Sequence, residues 1–409
     1  MRNRHPELLI PASSLEVLKT AVMFGADAVY IGGEAFGLRA KAKNFSMEDM
    51  KEGVQFAHEH GARVHVTVNI LAHNDDLEGA AEYLKELKEI GPDALIIADP
   101  AIFMLAKEIC PEIERHVSTQ ANNTNYGTFN FWWNLGAKRV VTARELSLKE
   151  IREIRAHIPA EMEIESFIHG AMCISYSGRC LLSNFFTGRD ANQGACTHPC
   201  RWKYSVVEET RPGEYMPVYE NERGTYIFNS KDLCMIEHIP EMIDAGIDSF
   251  KIEGRMKTAL YVATVARTYR KAIDDYLEDP KKYEANMPWY RDQISNCTYR
   301  QFTTGFYFGK PGDESQIYDS NTYIKEYTYL GIIGGIKDGM YRIEQRNKFS
   351  VGETVEIMKP DGQNVEVTVE KIIDEDGQEQ ESAPHPKQVL YVALSGEASV
   401  YDILRRQEV

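Results

Sequence analysis

Arg63-Val-His-Val-Thr-Val-Asn-Ile70, the amphipathic run Leu77–Ile90, Gly91 and Ala94-Leu-Ile-Ile-Ala98 set the rhythm of the first two-thirds of the chain. Apolar runs of this kind, rich in Val and Ile without strict alternation, are expected of strands covered on both faces. The stretch between them has helical length. Gly91 reads as its stop, since a residue without Cβ enters the left-handed region at little cost.

Outward from this unit the same alternation recurs. Strands are predicted over Glu7–Ile10, Ala28–Ile31, Arg115–Thr119, Arg139–Thr142, Glu163–Ile168 and Ser249–Ile252. Helices are predicted over Ser14–Met23, Ser46–His60, Pro100–Ile109 and Ser147–His157. Ser46 with Asp49 and Ser147 with Glu150 are helix starts: the hydroxyl caps backbone donors and the acid favours the positive end of the helix. Gly61 and Gly246 are further stops before strands. Eight strand–helix units in series predict the α/β class and a closed parallel (β/α)8, TIM-like barrel, because each parallel crossover is right-handed and of helix length. An open doubly wound sheet is the alternative, but no Gly-rich dinucleotide turn follows the first strand.

The seventh unit departs from the pattern. After Glu163–Ile168 the chain runs through a Cys-rich insertion, 169–235, before the helix Ile236–Ala245. An insertion after a barrel strand lies at the C-terminal face, where this fold keeps its chemistry. A chain of 409 residues also exceeds one ordinary core. The expected division is 1–278 for the barrel, 279–322 for a polar connector with Pro280 and Pro288, and 323–409 for a small C-terminal antiparallel β barrel. Its strands are predicted over Gly331–Ile336, Met340–Glu344, Thr354–Met358, Val365–Ile373 and Val389–Leu394, with turn signals between them. The acidic stretch Glu375–Pro386 is expected to be a mobile loop.

The net charge of −16 argues against a surface that coats DNA, though a local basic patch on RNA is compatible with it. The short apolar run at Leu8–Ile10 is too brief for a signal-peptide core, and no run is long enough to span a membrane, so the cytoplasm is the expected location. Seven cysteines, an odd number in a long chain, are not a disulfide framework. Four of them fall within 173–200, and Cys234 follows.

Their spacing is Cys173, six residues, Cys180, fifteen residues, Cys196, three residues, Cys200. Thiolates are soft, anionic ligands suited to iron–sulfur clusters and zinc. Buried core thiols are the bland explanation, but five cysteines in one polar loop and its return exceed it. Zinc knuckles use two to four intervening residues twice, and only Cys196–Cys200 has that spacing. The pattern therefore favours an iron–sulfur cluster on Cys173, Cys180, Cys196 and Cys234, with Cys200 as the alternative ligand and zinc as the rival metal. Cys110 and Cys297 are expected to be uninvolved.

Strand ends of a barrel aim side chains into its mouth, which nominates Asn69, Asp99, Gln120, Arg144, His169 and Glu253. Lys251 and Glu253 share a face by the two-residue period. Glu253 is expected to hold Arg255 or Lys257. Arg39, Lys251 and Arg255 are the candidate contacts to a carboxylate or phosphate, Arg255 being able to clamp it in bidentate fashion. Glu165, His169 and Glu253 are the candidate acid–base groups. Arg201-Trp202-Lys203-Tyr204 interleaves cations with aromatics, as base stacking with phosphate contact requires, although an ordinary solvated strand has the same composition.

Together these residues resemble a known signature. Glu165-Ser-Phe-Ile-His-Gly-Ala-Met-Cys173, Asp190-Ala-Asn-Gln-Gly-Ala-Cys-Thr-His-Pro-Cys200, Ser230-Lys-Asp-Leu-Cys234, Phe250-Lys-Ile-Glu-Gly-Arg-Met-Lys257 and Thr304-Gly-Phe-Tyr-Phe-Gly309 resemble the collagenase-like peptidase family U32 over nearly the whole chain. The branch with this layout resembles the tRNA hydroxylation proteins. That resemblance implies an iron–sulfur enzyme that makes 5-hydroxyuridine at the wobble position of tRNA, with prephenate as helper. It also implies cluster ligands at Cys173, Cys180, Cys196 and Cys234, and a second family member or a second copy of the chain as partner. Hydrolysis of peptide bonds is the alternative carried by the family name. Neither a Gly-x-Ser-x-Gly elbow nor a His-Glu-x-x-His helix is present to support it; His58-Glu59-His60 has the wrong spacing. A non-catalytic scaffold with a structural cluster is the third reading.

Overall fold

The computed structural model describes residues 5–34, 36, 44–173, 175, 179–202, 205–206, 216–217, 229–297, 301–311, 316–317 and 327–408. By its internal contacts the chain divides into two compact units: Met1–Lys19, Asp27–Met256 and Arg300–Thr322 form the first, and Thr20–Ala26, Lys257–Tyr299 and Tyr323–Val409 the second.

The first unit contains the barrel. Its strands are β1 (Glu7–Pro11), β2 (Ala28–Gly32), β3 (Arg63–Val68), β4 (Ala94–Ile97), β5 (Glu114–Val117), β6 (Arg139–Val141), β7 (Glu163–Gly170) and, after a further short strand β8 (Asp232–Cys234), β9 (Ser249–Ile252). All eight barrel strands pair in parallel with their neighbours, and β9 closes the ring by joining β1 (Glu7↔Ser249) to β7 (Ser249↔Glu165). Leu8, Val29, Val64, Leu95, Val140, Ile164 and Phe250 are fully buried, as strands sheathed on both sides require.

Between the strands run α1 (Leu15–Met23), α2 (Met47–Glu59), α3 (Asn74–Ile90), α4 (Pro100–Ile109), α5 (Tyr126–Leu135) and α6 (Leu148–His157). Their ends follow the local chemistry. Ser46 accepts from the Asp49 amide, Ser147 and Glu150 form a reciprocal capping box, and Gly91 ends α3 in the left-handed region. Asp99, nominated for the mouth, instead caps α4, accepting from the amides of Ala101 and Ile102.

Near the N-terminal ends of the strands lies a buried ionic layer. Arg139 bonds to Glu7, Glu163 and Glu165, and Arg63 bonds to Glu114. Burial alone would raise the Glu7 carboxyl, but the Arg139 guanidinium holds it far below the usual carboxylate range. Burial, reinforced for His116 by Arg139, keeps the imidazoles of His65 and His116 neutral.

Beyond Gly170, β8 returns antiparallel to the end of β7, pairing Leu233 with Gly170 and Cys234 with His169; Phe302–Thr303 then adds alongside it in parallel. The described part of the insertion contains α7 (Leu182–Thr187) and single turns at Ala191–Gln193 and Pro199–Arg201, and α8 (Ile239–Asp244) precedes β9. It is tied to the mouth through Leu71, whose amide donates to the Asn192 carbonyl and whose carbonyl accepts from the Gln193 side chain.

In the second unit six strands close into an antiparallel barrel, in the order Thr354–Met358, Ile403–Gln407, Tyr327–Lys337, Met340–Glu344, Val389–Leu394, Asn364–Asp374 and back to Thr354–Met358. Ile403–Gln407 was not among the expected strands. One expectation gains detail and another is corrected. The connector contains a helix, α10 (Pro280–Ser295), after α9 (Ala259–Glu278); Asp279 caps it and Pro280 occupies its first turn, where a missing N–H costs nothing. Tyr290 of α10 donates to Asp275 of α9 at 2.6 Å. The stretch read as a mobile loop is held in place: Glu379–Gln380 pairs with Ile372 and Ile373, and fully buried Ala383 donates its amide to Phe349.

Candidate functional site

Strand periodicity places Thr67 and Asn69 of the β3 end, Phe167 of β7, and Lys251 and Glu253 of the β9 end around one pocket at the C-terminal mouth of the barrel, with Tyr30, Gln120, Arg144 and Arg255. Three cations line it. Lys251 Nζ lies 2.6 Å from Glu165 Oε1 and 4.5 Å from the centre of the Tyr30 ring. Arg144 pairs with Glu253 at 3.0 Å and lies 3.9 Å over the Phe167 ring. Arg255 donates to the neutral Thr67 hydroxyl at 2.8 Å. The lining thus sets Lys251, Arg144 and Arg255 beside the carboxylate of Glu253, and guanidinium and ammonium donors of this kind are the groups that bind anions. Gly32 makes room for this arrangement, since a Cβ there would fall 2.9 Å from Arg255 Nη1.

The expected acid–base groups are placed differently from one another. Glu253 lines the pocket and pairs with Arg144. Lys257 lies over the Tyr261 ring. Glu165 lies one layer below, fully buried, with Oε1 held by Lys251 and Oε2 by Arg139 and the Ser249 hydroxyl. Both of its oxygens are thus already engaged by side chains of the barrel. His169 is buried beside Phe302, ring centres 5.7 Å apart, and is not among the residues lining the pocket. Trp202 is partly exposed and 6.4 Å from Phe186. Arg39 and the side chain of Arg201 lie outside the described residues.

The thiols sit on the insertion and its return. Cys173 follows β7 by three residues, and Cys234 stands on β8 beside His169. Water reaches the Cys173 side chain, yet its thiol is raised above the ordinary value, chiefly by loss of solvation for the thiolate. The fields of Cys180 and Cys196 push the same way, and the Ser175 amide and Arg144 oppose them. Cys173, Cys180 and Cys196 are thus electrostatic neighbours within reach of the mouth arginine. The His198 amide points at Cys196 Sγ, 3.4 Å away, and Asn192 donates to the Cys180 carbonyl. Cys110 and Cys297 are buried, their thiols donating to carbonyls one turn back in their own segments.

One convergence went unread in the sequence: ligand atoms of His65, His116 and Glu165 lie within 4.8 Å of one another in the barrel interior. The two-residue period from Thr67 back to His65 would have placed this imidazole inward. Because Arg139 and Lys251 already occupy both oxygens of Glu165, a further cation would meet two fixed positive charges. The trio belongs to the polar packing below the mouth.

Residues 13–317 match peptidase family U32, and residues 325–405 match the peptidase family U32 C-terminal domain. The chain belongs to peptidase family U32. Among its relatives is tRNA hydroxylation protein P1 of Bacillus subtilis (strain 168), 43% identical over 98% of this chain and 95% of that protein. Another is tRNA hydroxylation protein P of Escherichia coli (strain K12), 39% identical over 93% of this chain and 91% of the relative. The 23S rRNA 5-hydroxycytidine C2501 synthase of Escherichia coli (strain K12) is 41% identical over 67% of this chain, a match spanning 40% of that enzyme. The U32 chain described here therefore carries both the thiol-bearing insertion and the cationic mouth on one barrel. Among the described residues no helix is long and apolar enough to cross a membrane.

Proposed function

We propose that this U32 protein is a tRNA-modifying enzyme that hydroxylates a wobble uridine to 5-hydroxyuridine in the cytoplasm. In this reading a 4Fe–4S cluster is held by Cys173, Cys180, Cys196 and Cys234, and a dicarboxylate of the prephenate type enters the mouth pocket. Full-length relatives named for tRNA hydroxylation support the substrate class. The observation that supports the chemistry is that Cys173 feels both Cys180 and Cys196 and the mouth residue Arg144, while Cys234 stands on the strand paired with the end of β7. Soft thiolates in a loop at the C-terminal face fit an iron–sulfur cluster, which would supply one-electron redox chemistry when bound.

The chain's own residues then have distinct tasks. Arg255 and Lys251 meet the carboxylates of the acid, Arg255 through its planar fork. Glu253 and Arg144 hold each other in register at the rim, and Asn69 and Gln120 offer amides to a base edge or to the acid. Glu165 fixes the Lys251 ammonium from below.

The test is a deletion strain lacking redundant relatives, complemented with wild type or Cys173→Ser and read by mass analysis of wobble uridine, alongside the visible absorbance of the purified proteins. Wild type should restore 5-hydroxyuridine and be coloured; Cys173→Ser should do neither. Unchanged uridine with wild type restored sinks the RNA reading, and full modification by a colourless Cys173→Ser protein sinks the cluster.

A further inference from the structure

The exposed apolar side chains of the insertion are grouped and have a structural cause. In α7, Ser183 and Thr187 are one helical turn apart and share a face. That face is bound inward: the Ser183 hydroxyl lies 3.0 Å from the Thr197 hydroxyl and accepts from the Thr197 amide, and the Thr187 hydroxyl lies 3.3 Å from that of Thr197. With Ser183 and Thr187 tied to the residue next to Cys196, helical phase turns Phe185 and Phe186 outward. Phe185 is 81% exposed, the most exposed large apolar side chain among the described residues; Leu181 is 69% exposed and Trp202 46%. The rings form a chain, Phe185 to Phe186 at 5.2 Å and Phe186 to Trp202 at 6.4 Å. Exposed aromatics held together in this way are uncommon without a partner.

Charge indicates which partner. The segment 179–202 carries Arg179, Arg189 and Arg201 against Asp190, in a chain whose net charge is −16, and Arg179 and Arg189 are exposed. Arginines interleaved with open aromatic faces match unpaired nucleotides, whose phosphates take the cations and whose bases take the rings. Chemistry on a base also requires that base to leave its stack.

Building on the tRNA-modification reading, we infer that Phe185, Phe186 and Trp202 form a stacking platform for unpaired bases flanking the target uridine, with Arg179 and Arg189 on the adjoining phosphates. The platform binds and positions RNA; it does not touch the reacting atoms. Its attachment through Thr197 to the Cys196 segment couples the position of the loop to the thiol-bearing end of the site.

The experiment uses the full-length, cluster-loaded protein as wild type, Phe185→Ala, Phe185→Leu, Trp202→Ala and Trp202→Phe. The probes are a labelled anticodon-loop hairpin with uridine at the wobble position and a blunt RNA duplex of equal length. Affinity is read by anisotropy and turnover by 5-hydroxyuridine yield, with visible absorbance reporting cluster content. Each loss of a ring should weaken hairpin binding about tenfold and raise KM for RNA in step, as stacking of one base implies. Trp202→Phe should recover most of the affinity, and the duplex should bind weakly to every form. Phe185→Leu keeps apolar bulk and discards the aromatic face, so it remains informative if the alanine variant loses its cluster. If wild type hydroxylates the hairpin and the ring variants bind and turn over as well as it does, the platform is wrong while the tRNA reading stands. If the variants alter sedimentation of the protein but not RNA affinity, the patch is a protein interface and the inference fails. If wild type neither binds nor modifies the hairpin, the functional reading falls and takes the platform with it.

Discussion

The barrel holds two sets of charges with opposite habits. At its N-terminal end Arg139 is almost fully buried and meets three glutamates, Glu7, Glu163 and Glu165, so that the layer is closed on itself. At the C-terminal end Arg255 reaches a neutral hydroxyl, Arg144 and Glu253 pair at the rim, and thiols stand in the overhanging loop. The same residue types therefore serve stability at one end and, in the proposed reading, recognition at the other, and what separates them is access: Arg139 is shut inside its layer, whereas Arg144, Lys251, Glu253 and Arg255 line a pocket. Lys251 links the two: its backbone is in β9, its ammonium reaches down to Glu165, and its side chain lines the mouth pocket.

The largest way to break this contrast is to remove the centre of the closed layer. Arg139→Ala leaves three carboxylates without their shared cation, and loss of one partner of a buried pair costs about 3–5 kcal/mol. Chemical denaturation should show that loss in the midpoint. Because the mouth does not use Arg139, protein that remains folded should keep its cluster absorbance. Unchanged stability would mean that the layer is already hydrated.

Acid sharpens the comparison next. Glu7 has its folded value depressed by Arg139, so the unfolded chain takes up its proton first as pH falls. The stabilisation is complete above the unfolded value, about 4.3, and is lost progressively below it as pH approaches the folded value. Each unit of acidification in that window should remove about 1.4 kcal/mol for this one proton. Glu7→Gln should therefore flatten the acid limb of a stability–pH curve while lowering stability at neutral pH; parallel limbs in wild type and variant would refute the assignment.

Much of this frame is legible in the sequence, and the omissions have physical causes. Buried parallel strands write themselves as Val- and Ile-rich runs, so all eight were placed, and capping residues such as Ser46 and Ser147 marked helix starts. The helix Pro280–Ser295 went unread within the stretch taken as a polar connector; Pro280 in its first turn is a helix starter, and the stripe Tyr283, Tyr290 and Ile294 was the signal that the helix continues, past Pro288. The grouping of the cysteines on one insertion was readable from spacing. The neutralisation of Glu165 was not, since its partners Arg139 and Lys251 are 26 and 86 residues away in sequence and meet it only when the barrel closes. Phe185 and Phe186 escaped notice for a related reason: apolar residues read as core until the hydroxyl-bonded face of α7 shows which side is inward.

The smallest expected effect tests how finely the open end is built. At Gly32 an added Cβ would meet Arg255 Nη1 at 2.9 Å and Cζ at 3.0 Å. Those atoms are the far end of a flexible side chain, so Gly32→Ala should be accommodated by a shift of the guanidinium by a few tenths of an ångström, with little change in stability. A bidentate contact tolerates such a shift poorly because both of its bonds depend on one plane. The KM for the carboxylate helper should therefore rise about threefold to fivefold, roughly 1 kcal/mol or less, while the KM for RNA stays level. Arg139 in the closed layer has no counterpart to this sensitivity, since each of its guanidinium nitrogens already meets a glutamate carried on β1 or β7. If Gly32→Ala leaves the helper's KM unmoved, Arg255 is not its anchor. The open end would then owe its selectivity to Lys251, whose ammonium, a point charge, demands no such plane.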